Sequence, residues 1–160
     1  MSLDKTLILL KPDALQRGVC GEVIHRFERS GFNIVGMKMV WVTKELSQKH
    51  YSVHVGKSFY KGLEDFITEF PVIAIVLEGI DAVENVRKIV GHTEPKKALP
   101  GTIRGDFAHH TVESRDPRGL AVANLIHASG NKKEAKEEIK LWFKDDEIHK
   151  YTKLDDKYTF

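Results

Sequence analysis

Two stretches of the chain are apolar almost without interruption, Thr6–Leu10 (TLILL) and Val72–Leu77 (VIAIVL). Runs of this kind, without polar alternation, predict strands buried on both faces. The first ends abruptly at Lys11-Pro12-Asp13. Phe32–Val42, rich in β-branched and aromatic residues, predicts a further strand, and Leu120–Ile126 the last one. Between these runs the apolar spacing becomes helical. Val23, Ile24 and Phe27 predict a helix over Glu22–Arg29, with Gly31 as its stop. Thr43 is placed to cap a short helix through His50, and Ser58 to cap another whose one face carries Phe59, Leu63, Phe66, Ile67 and Phe70 before Pro71 ends it. Asp81 is read as the cap of a helix through Val90, closed by Gly91. Asn131 with Glu134 three residues on resembles a capping box and starts a helix to about Phe143.

Strands and helices interleave, which predicts a layered α/β or α+β domain and leaves strand order open. The 160 residues fit a single domain, and the mixed, charged tail to Phe160 is expected to wrap on the surface or on a partner chain. A tract from His92 to about Gly119, with three prolines and three glycines, is too long to be mere connection and is expected to serve function. Composition narrows this little. A net charge of +2 gives no support to a nucleic-acid or membrane surface, and the N-terminal apolar run is too short for a signal peptide or a membrane span. One cysteine, Cys20, excludes an internal disulfide framework and fits a reducing, cytoplasmic setting.

Several motifs fail on inspection. Gly56-Lys57-Ser58 looks like the end of a P-loop, but Tyr51 stands where the first glycine must be. There is no Gly-x-Gly-x-x-Gly, and His109-His110 lacks companions for a ligand set. Other residues keep two readings. Lys11 either marks a strand edge or is a cation held at a site. Arg87 lies on the rim of the helix face formed by Val83, Val86 and Val90, as a snorkelling side chain or as part of an anion clamp with Thr93, Arg104 and Lys11. Arg104 sits between Gly101 and Gly105, where glycines allow close backbone approach and the guanidinium fork suits phosphate. On the last helix, counting 100° per residue puts Glu138 at the edge of the stripe Ala135, Ile139, Trp142, Phe143 and Glu137 on the opposite face. Glu138 is therefore the favoured partner to fix the tautomer of His127, with ordinary surface pairing along the helix as the alternative.

Taken together, Lys11-Pro-Asp13, His50-Tyr51, Arg87, Thr93-Glu-Pro95, Pro100-Gly-Thr-Ile-Arg-Gly-Asp-Phe107, Asn124-Leu-Ile-His127-Ala-Ser129 and Glu138-Ile139 resemble the nucleoside diphosphate kinase family over most of the chain. The resemblance implies an α+β, ferredoxin-like βαββαβ fold: a four-stranded antiparallel sheet with helices on one face and additional helices. It implies ping-pong transfer of a γ-phosphoryl group from a nucleoside triphosphate to a nucleoside diphosphate, with His127 as the nucleophile. Glu138 and Ser129 would orient the ring; Lys11 and Tyr51 would stabilise charge on the moving group. Arg87, Thr93 and Arg104 would hold the α- and β-phosphates, with Mg²⁺ bound through the nucleotide. Lys11 and Asn124 would meet the sugar hydroxyls, and Phe59 with Leu63 or a nearby apolar side chain would sandwich the base, giving broad base specificity. It also implies a homo-oligomer, commonly a hexamer, that needs neither nucleic acid nor membrane.

The sequence departs from the family pattern in places. Ala128-Ser129-Gly130 follows the histidine where Gly-Ser-Asp is usual, Val122-Ala123 precedes Asn124 in place of Gly-Arg, and about ten extra residues stand within 108–123. A catalytically silent nucleotide-binding or interaction module of the same fold, working through that insertion, is the competing reading.

Overall fold

The computed structural model describes residues 3–114 and 121–160. Four strands, β1 (Leu3–Leu10), β2 (Asn33–Val40), β3 (Val72–Ile80) and β4 (Ile126–Ala128), form one sheet in the order β2-β3-β1-β4, every neighbouring pair antiparallel. The α+β class and the four-stranded antiparallel sheet are as expected.

β1 and β3 are central, and their uninterrupted apolar runs have the expected cause. Ile8 and Leu10 point into a core with Val23 and Phe27 of α2 (Cys20–Arg29) and Val86 and Val90 of α5 (Ala82–Val90). Leu7 and Leu9 point the other way, against Tyr51, Ile67, Trp142 and Phe143. Helices therefore cover both faces. The second face is closed by α3 (Lys44–His50) and α4 (Tyr60–Thr68), which lie between β2 and β3 in the chain, and by α7 (Lys132–Trp142).

Caps follow the sequence in part. Thr43 accepts from the Leu46 amide and Asn131 from the Glu134 amide, as expected. Ser58 does not cap α4: Phe59 holds that position without a side-chain bond. Asp81 precedes α5 in a left-handed conformation (φ 44°) with no side-chain cap bond; the carboxylate of Asp4 in β1 accepts from the Ala82 amide instead. The largest correction concerns the last strand. The sequence predicts Leu120–Ile126, whereas β4 is the short Ile126–Ala128, with His127 in the middle of it. Its predicted start at Leu120 lies outside the described residues.

The long tract carries α6 (Ile103–Phe107) between loops, and a short α1 (Pro12–Gln16) comes directly after β1. The tail lies along the start of β2: the His149 amide donates to the Val35 carbonyl, the Tyr151 hydroxyl to Ile34, and the Lys153 ammonium to Gly31 and Phe32. It ends in α8 (Asp156–Thr159). Among the described residues no helix is long and apolar enough to cross a membrane.

Candidate active site

The end of β1 lies beside the start of β4, and the chain around this junction turns toward a cavity of about 810 Å³. Lys11, Tyr51, Phe59, Leu63, Arg87, Thr93, Arg104, Asn124 and His127 all line it. Ser129 and Glu138 lie behind His127 and do not line the cavity. All eleven candidate residues thus fall on one cavity or directly behind its histidine.

At the closed end, His127 Nε2 lies 2.9 Å from Glu138 Oε1, while Glu138 Oε2 accepts a 2.5 Å hydrogen bond from the Ser129 hydroxyl. Ser129 is fully buried, and the Leu7 amide donates to its oxygen at 3.3 Å, so the residue that holds the carboxylate is itself tied to β1. Glu138 is mostly buried (side chain 13% exposed) and Glu137 is not (66%), as the helical count requires. Burial works to raise the Glu138 carboxyl, but the hydrogen bond and charge of His127 and the Ser129 hydroxyl outweigh it and hold the group below the usual carboxylate value. An ionised acceptor on Nε2 fixes the proton there and turns Nδ1 into the bare nitrogen.

The cations are set by chains of polar contacts. The Lys11 ammonium donates to Asn124 Oδ1 at 2.8 Å, and Asn124 Nδ2 donates to the Thr93 carbonyl at 2.7 Å. Burial, with Arg104 nearby, lowers the Lys11 pKa to about 8 against the opposing pull of Asp13. Arg104 is buried and donates to the carbonyls of Asn124 (3.2 Å), Gly91 (3.1 Å) and Ile126 (2.5 Å). Two of its five N–H groups thus hold the backbone that carries His127, a third is tied to the end of α5, and two remain for a ligand. Of the glycines beside it, Gly101 takes a left-handed turn (φ 89°) with open space around it, and Gly105 answers to packing. A Cβ on Gly105 would overlap the Leu99 carbonyl, so the requirement there is the close approach of the preceding loop to the helix over Ile103–Phe107.

This also explains the misread strand. Leu125 is held at φ 71°, a conformation that costs a buried branched residue about 1–3 kcal/mol. The Asp13 carboxylate accepts its amide at 2.9 Å and the Lys11 amide donates to its carbonyl at 2.8 Å. Side chains of Asp13 and Arg104 satisfy this backbone, where a ladder would have done so in a strand. Asp13 went unassigned in the sequence, although it stands within the strand-end signal Lys11-Pro12-Asp13.

Tyr51 is buried and its hydroxyl has no hydrogen-bond partner. Burial, with Glu138 and Tyr60 adding to it, pushes the phenol well above its ordinary value, so it stays a donor. His50 was also missed. Its side chain is 1% exposed and its ring stands 4.6 Å from that of His127 at 81°. Trp142 Nε1 donates to His50 Nδ1 at 3.1 Å, and burial with the neighbouring His127 brings the His50 pKa down to about 3, so it is neutral. His50, His127 and Glu138 together offer three possible metal ligands, but Trp142 and the His127–Glu138 contact already occupy the facing atoms. The far end is looser. Phe59 is 46% exposed, and Leu63 and Val112 join it on the lining. Val112, Ala121 and Val122 bring the insertion to the rim of the cavity, while 115–120 lie outside the described residues.

The family model for nucleoside diphosphate kinase matches residues 4–148. The nucleoside diphosphate kinase of Pyrococcus abyssi is 52% identical over 153 residues, spanning 96% of this chain and 92% of its own length. That of Borreliella burgdorferi is 44% identical over 161 residues, spanning 98% and 96%. Among solved structures, a transition-state mimic of nucleoside-diphosphate kinase from Borrelia burgdorferi with bound vanadate and ADP superposes with a TM-score of 0.94 at 43% identity, covering 98% of this chain and 96% of its own. A halophilic relative from Halobacterium salinarum in complex with CDP gives 0.90 at 37% identity, each chain covered to 99%.

Proposed function

The chain belongs to the nucleoside diphosphate kinase family and is an enzyme of that class, and from that premise we propose that it moves the γ-phosphoryl group of a nucleoside triphosphate to a nucleoside diphosphate by way of His127. The observation that carries this reading is the Ser129–Glu138–His127 chain standing at the closed end of a cation-lined cavity.

In the first half-reaction the Nδ1 lone pair attacks the γ-phosphorus. The N–P bond forms as the bond to the β,γ-bridging oxygen breaks, and the diphosphate leaves with the electron pair. The Nε2 proton stays on the ring, where Glu138 balances the positive charge. In the second half-reaction a terminal oxygen of the acceptor diphosphate attacks the same phosphorus, and the N–P electrons return to Nδ1. Arg87, Thr93 and the two uncommitted N–H groups of Arg104 hold the α- and β-phosphates. Lys11 and the unpartnered Tyr51 hydroxyl stabilise charge on the phosphoryl group, since such transfer is mainly positioning and electrostatics. Lys11 and Asn124 serve the sugar hydroxyls. Phe59 packs on the base, with Leu63 and Val112 as the apolar surfaces near it; faces that stack without reading base edges give broad specificity.

Among the described residues the cavity offers a metal one carboxylate, Glu134, beside three cations. The nitrogen-rich set of His50 and His127 does not suit a hard ion. Mg²⁺ fits here only as it arrives on the nucleotide, where it neutralises phosphate oxygens. The fold acts as one domain, and Val112, Ala121 and Val122, from the described parts of 108–123, form part of the cavity wall. The working form is a cytoplasmic homo-oligomer, a hexamer by family precedent. Exposed Met37, Met39 and Trp41 on and beside edge strand β2 are apolar surface of the kind that assembly covers.

Incubation with γ-labelled ATP and Mg²⁺ is the test. Wild type should take up acid-labile, base-stable label, several unlabelled diphosphates should discharge it, and His127→Ala should take up none. A wild type that binds nucleotide yet takes up no label is the silent module instead.

A further inference from the structure

His50 holds a buried donor that bonds to nothing, and this is costly enough to need a cause. An indole nitrogen only donates, so a 3.1 Å bond from Trp142 Nε1 requires His50 Nδ1 to be bare. The neutral ring then carries its proton on Nε2, and that atom is buried without a partner. The other tautomer would trade this orphan for another, since a proton on Nδ1 leaves the indole N–H of Trp142 facing a donor. A proton on Nδ1 would also put a second donor 3.8 Å from Glu138 Oε1, the same oxygen that His127 Nε2 approaches at 2.9 Å. Glu138 Oε2 already takes the Ser129 hydroxyl. Two rings standing 4.6 Å apart would then compete for one oxygen.

We propose that Trp142 and His50 are positioning residues: the indole locks His50 in the Nε2–H tautomer and so reserves Glu138 Oε1 for His127. Freed from the indole, His50 donates to Glu138 and weakens the contact that pins the His127 proton to Nε2. The His127 proton can then visit Nδ1, the nitrogen that must be bare to attack. The groups facing His50 support a neutral ring. Burial, His127, Lys11 and His54 all oppose its protonation, and only Glu138 favours it. The inference rests on His127 as the phosphoryl carrier for its kinetic consequence, but not for its tautomer.

Long-range ¹H–¹⁵N spectra of the resting, nucleotide-free protein read the tautomer directly, with His50→Phe assigning the signal. Wild-type His50 should show a protonated Nε2 and a bare Nδ1. Trp142→Phe, which keeps the aromatic ring and removes the donor, should move His50 toward Nδ1–H. It should also slow labelling of His127 by roughly tenfold, a coupling usual for touching side chains, with nucleotide Kd unchanged. In a His50→Phe background the same substitution should add nothing. A wild-type His50 protonated on Nδ1 overturns the proposal even if the variant fails to fold. So does a Trp142→Phe protein with unaltered tautomer, or one that slows equally with and without His50. If His127 takes up no label in any protein, the functional reading falls and the tautomer result stands on its own.

Discussion

The two ends of the cavity are built differently. At the closed end a chain of contacts sets the polar groups, with the Tyr51 hydroxyl left outside it: Ser129 is placed by β1, Glu138 by Ser129, His127 by Glu138, Lys11 by Asn124, and the His127 backbone by Arg104. At the mouth, Phe59 is half exposed, and its ring and cation contacts are loose, to His54 at 5.4 Å and Lys57 at 5.9 Å. Preorganisation is concentrated where charge moves, and the base end offers surface without a fixed reader. Changes at the closed end should therefore cost rate, and changes at the mouth only affinity.

The sharpest break should come from Glu138→Ala. With the ring free to exchange its proton between nitrogens, single-turnover labelling of His127 should slow about 10²–10⁴-fold. A loss below tenfold would mean that Glu138 does not orient the nucleophile.

Lys11→Met should separate function from stability. Its activity should fall about 10²–10³-fold, whereas urea melts at pH 7 should show a gain of about 1–3 kcal/mol. The folded-state pKa of about 8 lies below the ordinary 10.5. The unfolded chain therefore binds more protons between these values, and wild-type stability rises with pH across that window. Below pH 8 the charged lysine is buried at full cost, which methionine removes, less what the abandoned Asn124 oxygen loses. A variant that is less stable at pH 7 would show that Lys11 is held without strain.

Phe59→Ala should be the mildest. Nucleotide affinity should weaken roughly five- to thirtyfold, equally for purines and pyrimidines, from the stacking lost, while stability should stay within about 0.5 kcal/mol. Unequal losses among bases, measured by calorimetry, would place a base reader at the mouth after all.

Much of this was legible because periodicity reports burial. β1 and β3 show as unbroken apolar runs since both faces are covered, and Glu138 separates from Glu137 by angle alone. The bounds of the short β4 were misread because Leu125 looks like a strand residue, yet the backbone at Asn124 and Leu125 is bonded by Arg104 and Asp13, partners distant in sequence. Trp142 counted as core, and it is core. Nothing in a helical stripe says that its indole also donates to His50. Roles that depend on one polar atom of an apolar side chain leave no periodic trace.

The nitrogen that carries phosphorus tests the central claim most directly. The phosphoenzyme made from ¹⁵N-labelled protein with ATP and Mg²⁺, kept at alkaline pH, should show ³¹P–¹⁵N coupling to His127 Nδ1, with Nε2 still protonated. Phosphorus on Nε2 or on another residue, or full turnover with no phosphoenzyme formed, would contradict it.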